Sequence, residues 1–104
     1  MGKILELEVD EKILDKTRGE LFYYLHFRRL EGKFIFTNKR IFHKATIGGG
    51  VNEIYYDDIE AMEKRGIFGL SIAVKSDQTS HYTLRIWKAK QRMELIQGHI
   101  NKNI

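Results

Sequence analysis

The sequence changes its hydrophobic period once, and this change restricts the possible folds more than any other feature. Up to about residue 87, apolar and polar residues alternate in short runs, which is the period-two pattern of half-buried strands. From residue 88 to residue 101 the apolar spacing becomes that of an amphipathic helix. The residues of this stripe are Ala89, Met93, Ile96 and Ile100. A β structure followed by one packed helix is therefore predicted.

Seven short strands are predicted before the helix, because each run of alternation is bounded by turn residues. The first hairpin is predicted to turn at Leu30-Glu31-Gly32, where glycine can adopt the positive φ angles of a tight turn. The predicted strands are residues 19–29, 34–37, 41–45, 51–56, 59–65, 70–75 and 81–87. Such a set predicts a mainly β sandwich or partly open barrel, capped by the helix at residues 88–101.

A single domain spanning residues 1–104 is expected, because a chain of this length can bury one core. Residues 1–11 are predicted to be a lead-in strand or an extension of this domain. The chain contains no cysteine, which excludes disulfides and cysteine metal sites. The first ten residues lack the apolar core of a signal peptide, and no apolar run is long enough for a membrane helix. We therefore expect a cytoplasmic protein whose membrane contact, if any, is peripheral.

The net charge of +4 is distributed in blocks along the chain. Residues 28–44 carry six basic residues and one acidic residue, whereas residues 51–63 carry five acidic residues and no basic one. Such blocks can pair across neighbouring strands, or they can leave a surface of one sign for an anionic partner. Arg40 in particular is expected to pair with a carboxylate of the acidic block.

Three groups of basic residues are candidates for binding an anion, because arginine and lysine are the side chains that recognise phosphate. The groups are Arg28, Arg29 and Lys33 at the first predicted turn, Lys39 and Arg40 at the second, and Lys64 and Arg65 before a glycine-bounded connection. Consecutive turns of a meander lie at opposite ends of the strands, so the first two groups are not expected to share a site. The first group is the candidate for anionic lipid headgroups.

Outward-facing aromatic residues form the candidate protein interface. The alternation that buries Leu21 places Phe22 and Tyr24 on the opposite face of the sheet, and Phe42 is predicted to join them. An exposed apolar patch indicates a protein interface, and an edge strand can add a second chain. Self-association or binding of a protein partner is therefore the leading prediction. Nucleic acid is not expected, because seven short strands need their aromatic residues to fill a core.

The sequence contains no recognisable catalytic or metal-binding set. No nucleophile motif surrounds the serines, and Asp57 and Asp58 are explained by a corner between strands. The histidines lack metal-ligand spacing and are expected to be surface or half-buried residues. They are His26, His43, His81 and His99. A non-enzymatic protein without a metal or cofactor is therefore expected.

Residues 32–45, GKFIFTNKRIFHKA, combine a glycine, an apolar strand, a Thr-x-x-Arg motif and an apolar pair. The positions are Gly32, Phe34, Phe36, Thr37, Arg40, Ile41 and Phe42. Together with residues 54–59, IYYDDI, and the terminal helix, this motif resembles the GRAM and bacterial pleckstrin-homology-like domains over roughly residues 12–102. The resemblance implies a seven-stranded barrel capped by one helix. It also implies a non-catalytic adaptor that binds proteins or itself, or alternatively phosphoinositide-like headgroups through a basic loop.

Overall fold

The computed structural model describes residues 6–23, 28–47, 50–76 and 81–102. In these residues the chain forms seven strands and one α-helix, as the change of hydrophobic period predicts. The strands are β1 (Ile13–Tyr23), β2 (Arg28–Thr37), β3 (Arg40–Ala45), β4 (Val51–Tyr55), β5 (Ile59–Arg65), β6 (Gly69–Val74) and β7 (His81–Ile86). A short 3₁₀ helix, Tyr56–Asp58, links β4 to β5, and the helix α1 spans Ala89–Lys102.

The strands form one antiparallel sheet in the order β4-β3-β2-β1-β7-β6-β5. Strand β1 is the longest and pairs with β2 along its whole length, while its second half also pairs with β7. The sheet curves into a half-barrel whose concave side holds the core. The predicted fold class, a seven-stranded half-barrel with one C-terminal helix, is confirmed.

The helix α1 covers the core with the apolar stripe that its sequence predicts. Ala89 and Ile96 are fully buried, and Met93 and Ile100 pack against the core from its margin. The helix contacts β5, β6 and the 3₁₀ helix. Burial of a side chain such as Ile96 stabilises the fold by roughly 1.5–3 kcal/mol, which outweighs the cost of about 1 kcal/mol for the glycine within this helix.

The predicted turn at residues 30–32 is wrong, because these residues lie inside β2. Gly32 pairs with Gly19 on one side and with Ala45 on the other. A Cβ atom built on Gly32 would lie 2.0 Å from the carbonyl oxygen of Lys44. Glycine at this position therefore allows the close approach of β2 and β3. The connection between β1 and β2 falls instead in residues 24–27, outside the described residues.

The Thr-x-x-Arg motif holds the chain that precedes β1. The Thr37 hydroxyl donates a 2.6 Å hydrogen bond to Glu11, and the Asn38 side chain bonds the backbone of both Asp10 and Lys12. Residues 6–12 form a loop that lies against the sheet and adds no strand to it. The motif therefore has a structural role at the end of the β2–β3 hairpin.

Arg40 is buried among the acceptors of this loop. Its guanidinium contacts both carboxylate oxygens of Glu11 at 2.9 and 3.0 Å, Glu53 at 3.0 Å and the backbone oxygen of Glu6 at 2.7 Å. Burial by itself raises the pKa of Glu11, but the hydrogen bonds from Arg40 and Thr37 outweigh burial and lower it. The predicted pairing of Arg40 with the acidic block is confirmed through Glu53, so this arginine is not available for an anionic ligand.

His43 departs from the expectation that the histidines lie at or near the surface. Its side chain is 2% exposed and packs against the ring of Phe34, with ring centroids 4.5 Å apart. The cause is its position on the concave face of β3, directly opposite Phe34 on β2. Neither ring nitrogen has a hydrogen-bond partner among the described residues.

Candidate functional site

Three large apolar side chains project into solvent where β5 turns into β6 and where β7 ends. Ile67 is 73% exposed, Phe68 is 42% exposed and Trp87 is 61% exposed. The rings of Phe68 and Trp87 stack with their centroids 5.5 Å apart and their planes 19° apart. We call these three residues the aromatic tip. Solvent exposure of contiguous large apolar side chains indicates an interaction site.

The aromatic tip is held by the backbone around it. Gly66 has a φ of 68°, which allows the tight turn between β5 and β6. The amide of Ile86 donates a 2.8 Å hydrogen bond to the carbonyl of Phe68, which ties this turn to the end of β7. The guanidinium of Arg92 donates a hydrogen bond to the carbonyl of Trp87 and forms an ion pair with Asp15 at 3.2 Å. The tip is therefore presented on a supported backbone.

An open groove of about 360 Å³ lies beside the aromatic tip on the outer face of the sheet. Residues from the middle of β1, from β2 and from the end of β7 line it together with the two stacked rings. The side chains that line it are Arg18, Glu20, Glu31, Phe68, Arg85 and Trp87. The groove therefore combines two guanidinium groups, two carboxylates and an aromatic wall.

The register of the strands brings these charged residues together. Glu20 on β1 lies opposite Glu31 on β2 and opposite Arg85 on β7, and Arg18 lies opposite Lys33. Glu20 forms a long ion pair of 3.5 Å with Arg29. Within the described part of the chain, Arg18, Glu31 and Arg85 form no ion pair. Three charges at the groove are therefore not used by the fold.

Two of the predicted anion-binding residues, Arg29 and Lys33, lie along β2 beside this groove. Arg29 and Lys33 lie two positions on either side of Glu31 in β2, so all three share the outer face. The side chain of Arg29 is 67% exposed and Lys33 is exposed. Arg28 begins β2, and its side chain lies outside the described residues. The third predicted group is also near, because Arg65 lies opposite Gly69, which lies opposite Arg85.

Of the predicted aromatic interface, the structure describes the side chains of Phe22 and Phe42. Phe42 is only 4% exposed, so its predicted exposure is wrong. The register places Phe42 on the outer face between Ile35 and Glu53, the same face on which Arg40 holds residues 6–11. Phe22 is half-buried, and Tyr24 lies outside the described residues.

The aromatic tip was not recognised from the sequence, although two signals for it are present. Ile67 and Phe68 lie in a turn bounded by glycines, where polar residues are the usual choice. Trp87 is the single tryptophan of the chain and lies next to Lys88 at a strand end. The alternation pattern placed Ile67 and Phe68 in a connection and Trp87 at the end of a strand. Neither position by itself indicates that a side chain is exposed to solvent.

Within the described ranges, no group of three or more histidine, aspartate or glutamate side chains could hold a metal ion. Over the same ranges, no helix is both long enough and apolar enough to cross a membrane.

The chain has a pleckstrin-homology-like fold. Among solved structures, it superimposes on the Vps36 N-terminal PH domain with a TM-score of 0.73 at 16% identity, covering 93% of this chain and 84% of that one. The C-terminal domain of an unknown protein from Leishmania infantum gives a TM-score of 0.71 at 13% identity, covering 88% of this chain and 86% of that one. Inner Membrane Complex Sub-compartment Protein 3 from Toxoplasma gondii gives 0.66 at 16% identity, covering 85% and 76% of the two chains. No protein-family model and no curated protein matches the sequence.

Proposed function

We propose that this chain is a non-catalytic, GRAM-like binding domain that attaches to anionic membrane surfaces through the aromatic tip. The observation that carries the proposal is the exposure of Ile67, Phe68 and Trp87 next to basic side chains. Tryptophan is enriched at membrane interfaces, where its apolar ring enters the lipid and its polar edge stays hydrated. Basic residues around such a tip are attracted to anionic headgroups.

The two contributions are similar in size. Transfer of the exposed area of Trp87 into lipid is worth roughly 2–4 kcal/mol, at about 25 cal/mol per Å² of apolar surface. Each basic residue near an anionic surface adds about 1 kcal/mol. Arg85 lines the groove beside the tip, and Arg65, Lys88, Arg29 and Lys33 are exposed nearby. Binding is therefore expected to be reversible and to weaken as salt screens the charges.

The single tryptophan makes the proposal directly measurable. Addition of anionic vesicles should shift the fluorescence of Trp87 to shorter wavelength, and sedimentation with the vesicles should decrease as the salt concentration rises. Vesicles of neutral lipid should bind much less. Absence of both the shift and sedimentation with anionic vesicles at low salt would exclude membrane binding.

A matched pair of isoleucines tests the position of the site. Ile67 belongs to the tip, whereas Ile47 is 89% exposed and follows β3 at the other end of the strands. Ile67→Ser should weaken vesicle binding about tenfold, because it removes roughly 1.5 kcal/mol of apolar burial. Ile47→Ser should leave binding unchanged. If the two substitutions changed vesicle binding equally, the membrane contact would not lie at the aromatic tip.

Self-association through a sheet edge is a second candidate, because β4 and β5 are the terminal strands of the sheet. The exposed charges of β5, among them Glu60, Glu63 and Lys64, oppose the addition of a further strand. Light scattering over a range of protein concentrations tests this candidate. A mass that stays monomeric at the highest concentration would eliminate it.

A further inference from the structure

We propose that the groove beside the aromatic tip binds the headgroup of an aminophospholipid, with the phosphodiester on Arg18 and Arg85 and the primary ammonium on Glu31. This inference rests on the proposed membrane function and specifies the lipid. Its basis is a groove of about 360 Å³ that holds unpaired charges of both signs next to the element proposed to enter the bilayer.

The first argument is that three of the four charged side chains of the groove are not used by the fold. Arg18 and Arg85 form no ion pair within the described residues, and neither does Glu31. The two arginines come from β1 and β7 and line the same groove as the stacked rings. Guanidinium groups that are free and face one cavity suit a phosphate, which accepts paired N–H donors.

The second argument is the pair of carboxylates on the floor of the groove. Glu20 and Glu31 lie directly opposite each other on β1 and β2, and like charges in this arrangement destabilise a sheet. One oxygen of Glu20 is buried and has no hydrogen-bond partner among the described residues. The 3.5 Å ion pair to Arg29 is too long to supply a strong hydrogen bond. A cationic group with N–H donors would relieve the repulsion between the two carboxylates and could supply a partner to Glu20.

The third argument is the combination of these charges with the position of the groove. A phosphatidylserine or phosphatidylethanolamine headgroup carries a phosphodiester and a primary ammonium a few bonds apart. Phosphatidylglycerol offers only the anion, and the quaternary ammonium of phosphatidylcholine has no N–H to donate. The Glu31 carboxylate repels anionic lipid, so it would weaken a site that worked by charge attraction alone. Its presence in the groove therefore favours recognition of an ammonium group.

The test compares vesicles of equal surface charge that contain either phosphatidylserine or phosphatidylglycerol. The wild-type chain should bind the phosphatidylserine vesicles about tenfold more tightly, the gain expected from one charge-assisted hydrogen bond. A smaller preference of the same kind is expected for phosphatidylethanolamine over phosphatidylcholine in vesicles with a fixed anionic lipid content.

Substitution of Glu31 separates headgroup recognition from general electrostatics, because the two predict opposite changes in the affinity for phosphatidylserine vesicles. Glu31→Gln should abolish the preference by weakening binding to phosphatidylserine, whereas simple charge attraction predicts stronger binding to both vesicles. Glu94→Gln removes the same charge from an exposed position on α1 and should preserve the preference. The thermal stability of each variant is measured alongside, and Glu31→Gln should not lower it.

The outcomes distinguish this inference from the proposed function. Equal binding of the wild-type chain to the two anionic vesicles overturns the headgroup assignment and leaves membrane attachment intact. A preference that survives in Glu31→Gln overturns the role of the groove. Failure to bind either vesicle at low salt overturns the proposed function and this inference with it.

Discussion

Substitution of Gly32 by alanine should destabilise the domain strongly, because the backbone of β3 lies directly against this residue. The added Cβ would lie 2.0 Å from the oxygen of Lys44, 2.8 Å from its carbonyl carbon and 2.9 Å from the Cα of Ala45. All three neighbours are backbone atoms of the paired strand, so they cannot rotate away as a flexible side chain would. The strands must separate locally for alanine to fit.

The expected loss follows from two physical contributions. Overpacking of this kind costs typically about 1–3 kcal/mol. Local separation of the strands also weakens adjacent backbone hydrogen bonds, such as the 2.8 Å bond from the amide of Thr46 to the backbone carbonyl of Glu31, at about 1 kcal/mol each. A decrease of about 3 kcal/mol in the free energy of unfolding is expected for Gly32→Ala, with a loss of roughly 4–8 °C in Tm for each kcal/mol.

The measurement is equilibrium unfolding in urea together with thermal unfolding, and Gly98 provides the control. A Cβ added at Gly98 meets nothing within 4 Å, because this residue lies on the exposed side of α1. Gly98→Ala should therefore raise the free energy of unfolding by about 0.5–1 kcal/mol. The same substitution is therefore expected to change the free energy of unfolding in opposite directions at the two sites. Wild-type stability in Gly32→Ala would show that the pairing of Gly32 with Ala45 is wrong.

Three further predictions concern buried polar groups. Glu11→Gln should cost about 3 kcal/mol, measured by urea unfolding at neutral pH, because it leaves the buried Arg40 without its closest carboxylate. Since the folded pKa of Glu11 lies below its ordinary value of 4.5, its stabilisation is present above that value and declines as the pH falls through the folded pKa, a decline that Glu11→Gln should lack. Burial lowers the pKa of His43 below 6.5, so stability should decline as the pH falls below about that value, and unfolding of His43→Leu across this range should show no such decline. Tyr56→Phe should lower the free energy of unfolding by about 1 kcal/mol, because it removes the 2.6 Å hydrogen bond to the carbonyl of Thr37, and an unchanged Tm would contradict that contact.

The sequence by itself determined the order of the elements and the faces of the helix. Seven runs of alternation followed by one stripe at helical spacing are local patterns, and each burial periodicity can be recognised within a few residues. The stripe of Ala89, Met93, Ile96 and Ile100 packs as predicted, because residues at this spacing lie on one face of a helix and are buried together. The pairing of Arg40 with the acidic block could also be predicted, since opposite charges on adjacent strands attract.

Only the tertiary structure decided the register of the strands, and the candidate site depends on that register. Glycine is common in turns, yet the role of Gly32 depends on how closely the backbone of Lys44 approaches it. Phe42 lies on an outer face, yet Arg40 holds residues 6–11 over that face. The groove joins Arg18 and Glu31, from the consecutive strands β1 and β2, with Arg85 from β7, which is far from both in the chain. Cross-strand neighbours are set by long-range pairing, so no local pattern could place these charges beside the aromatic tip.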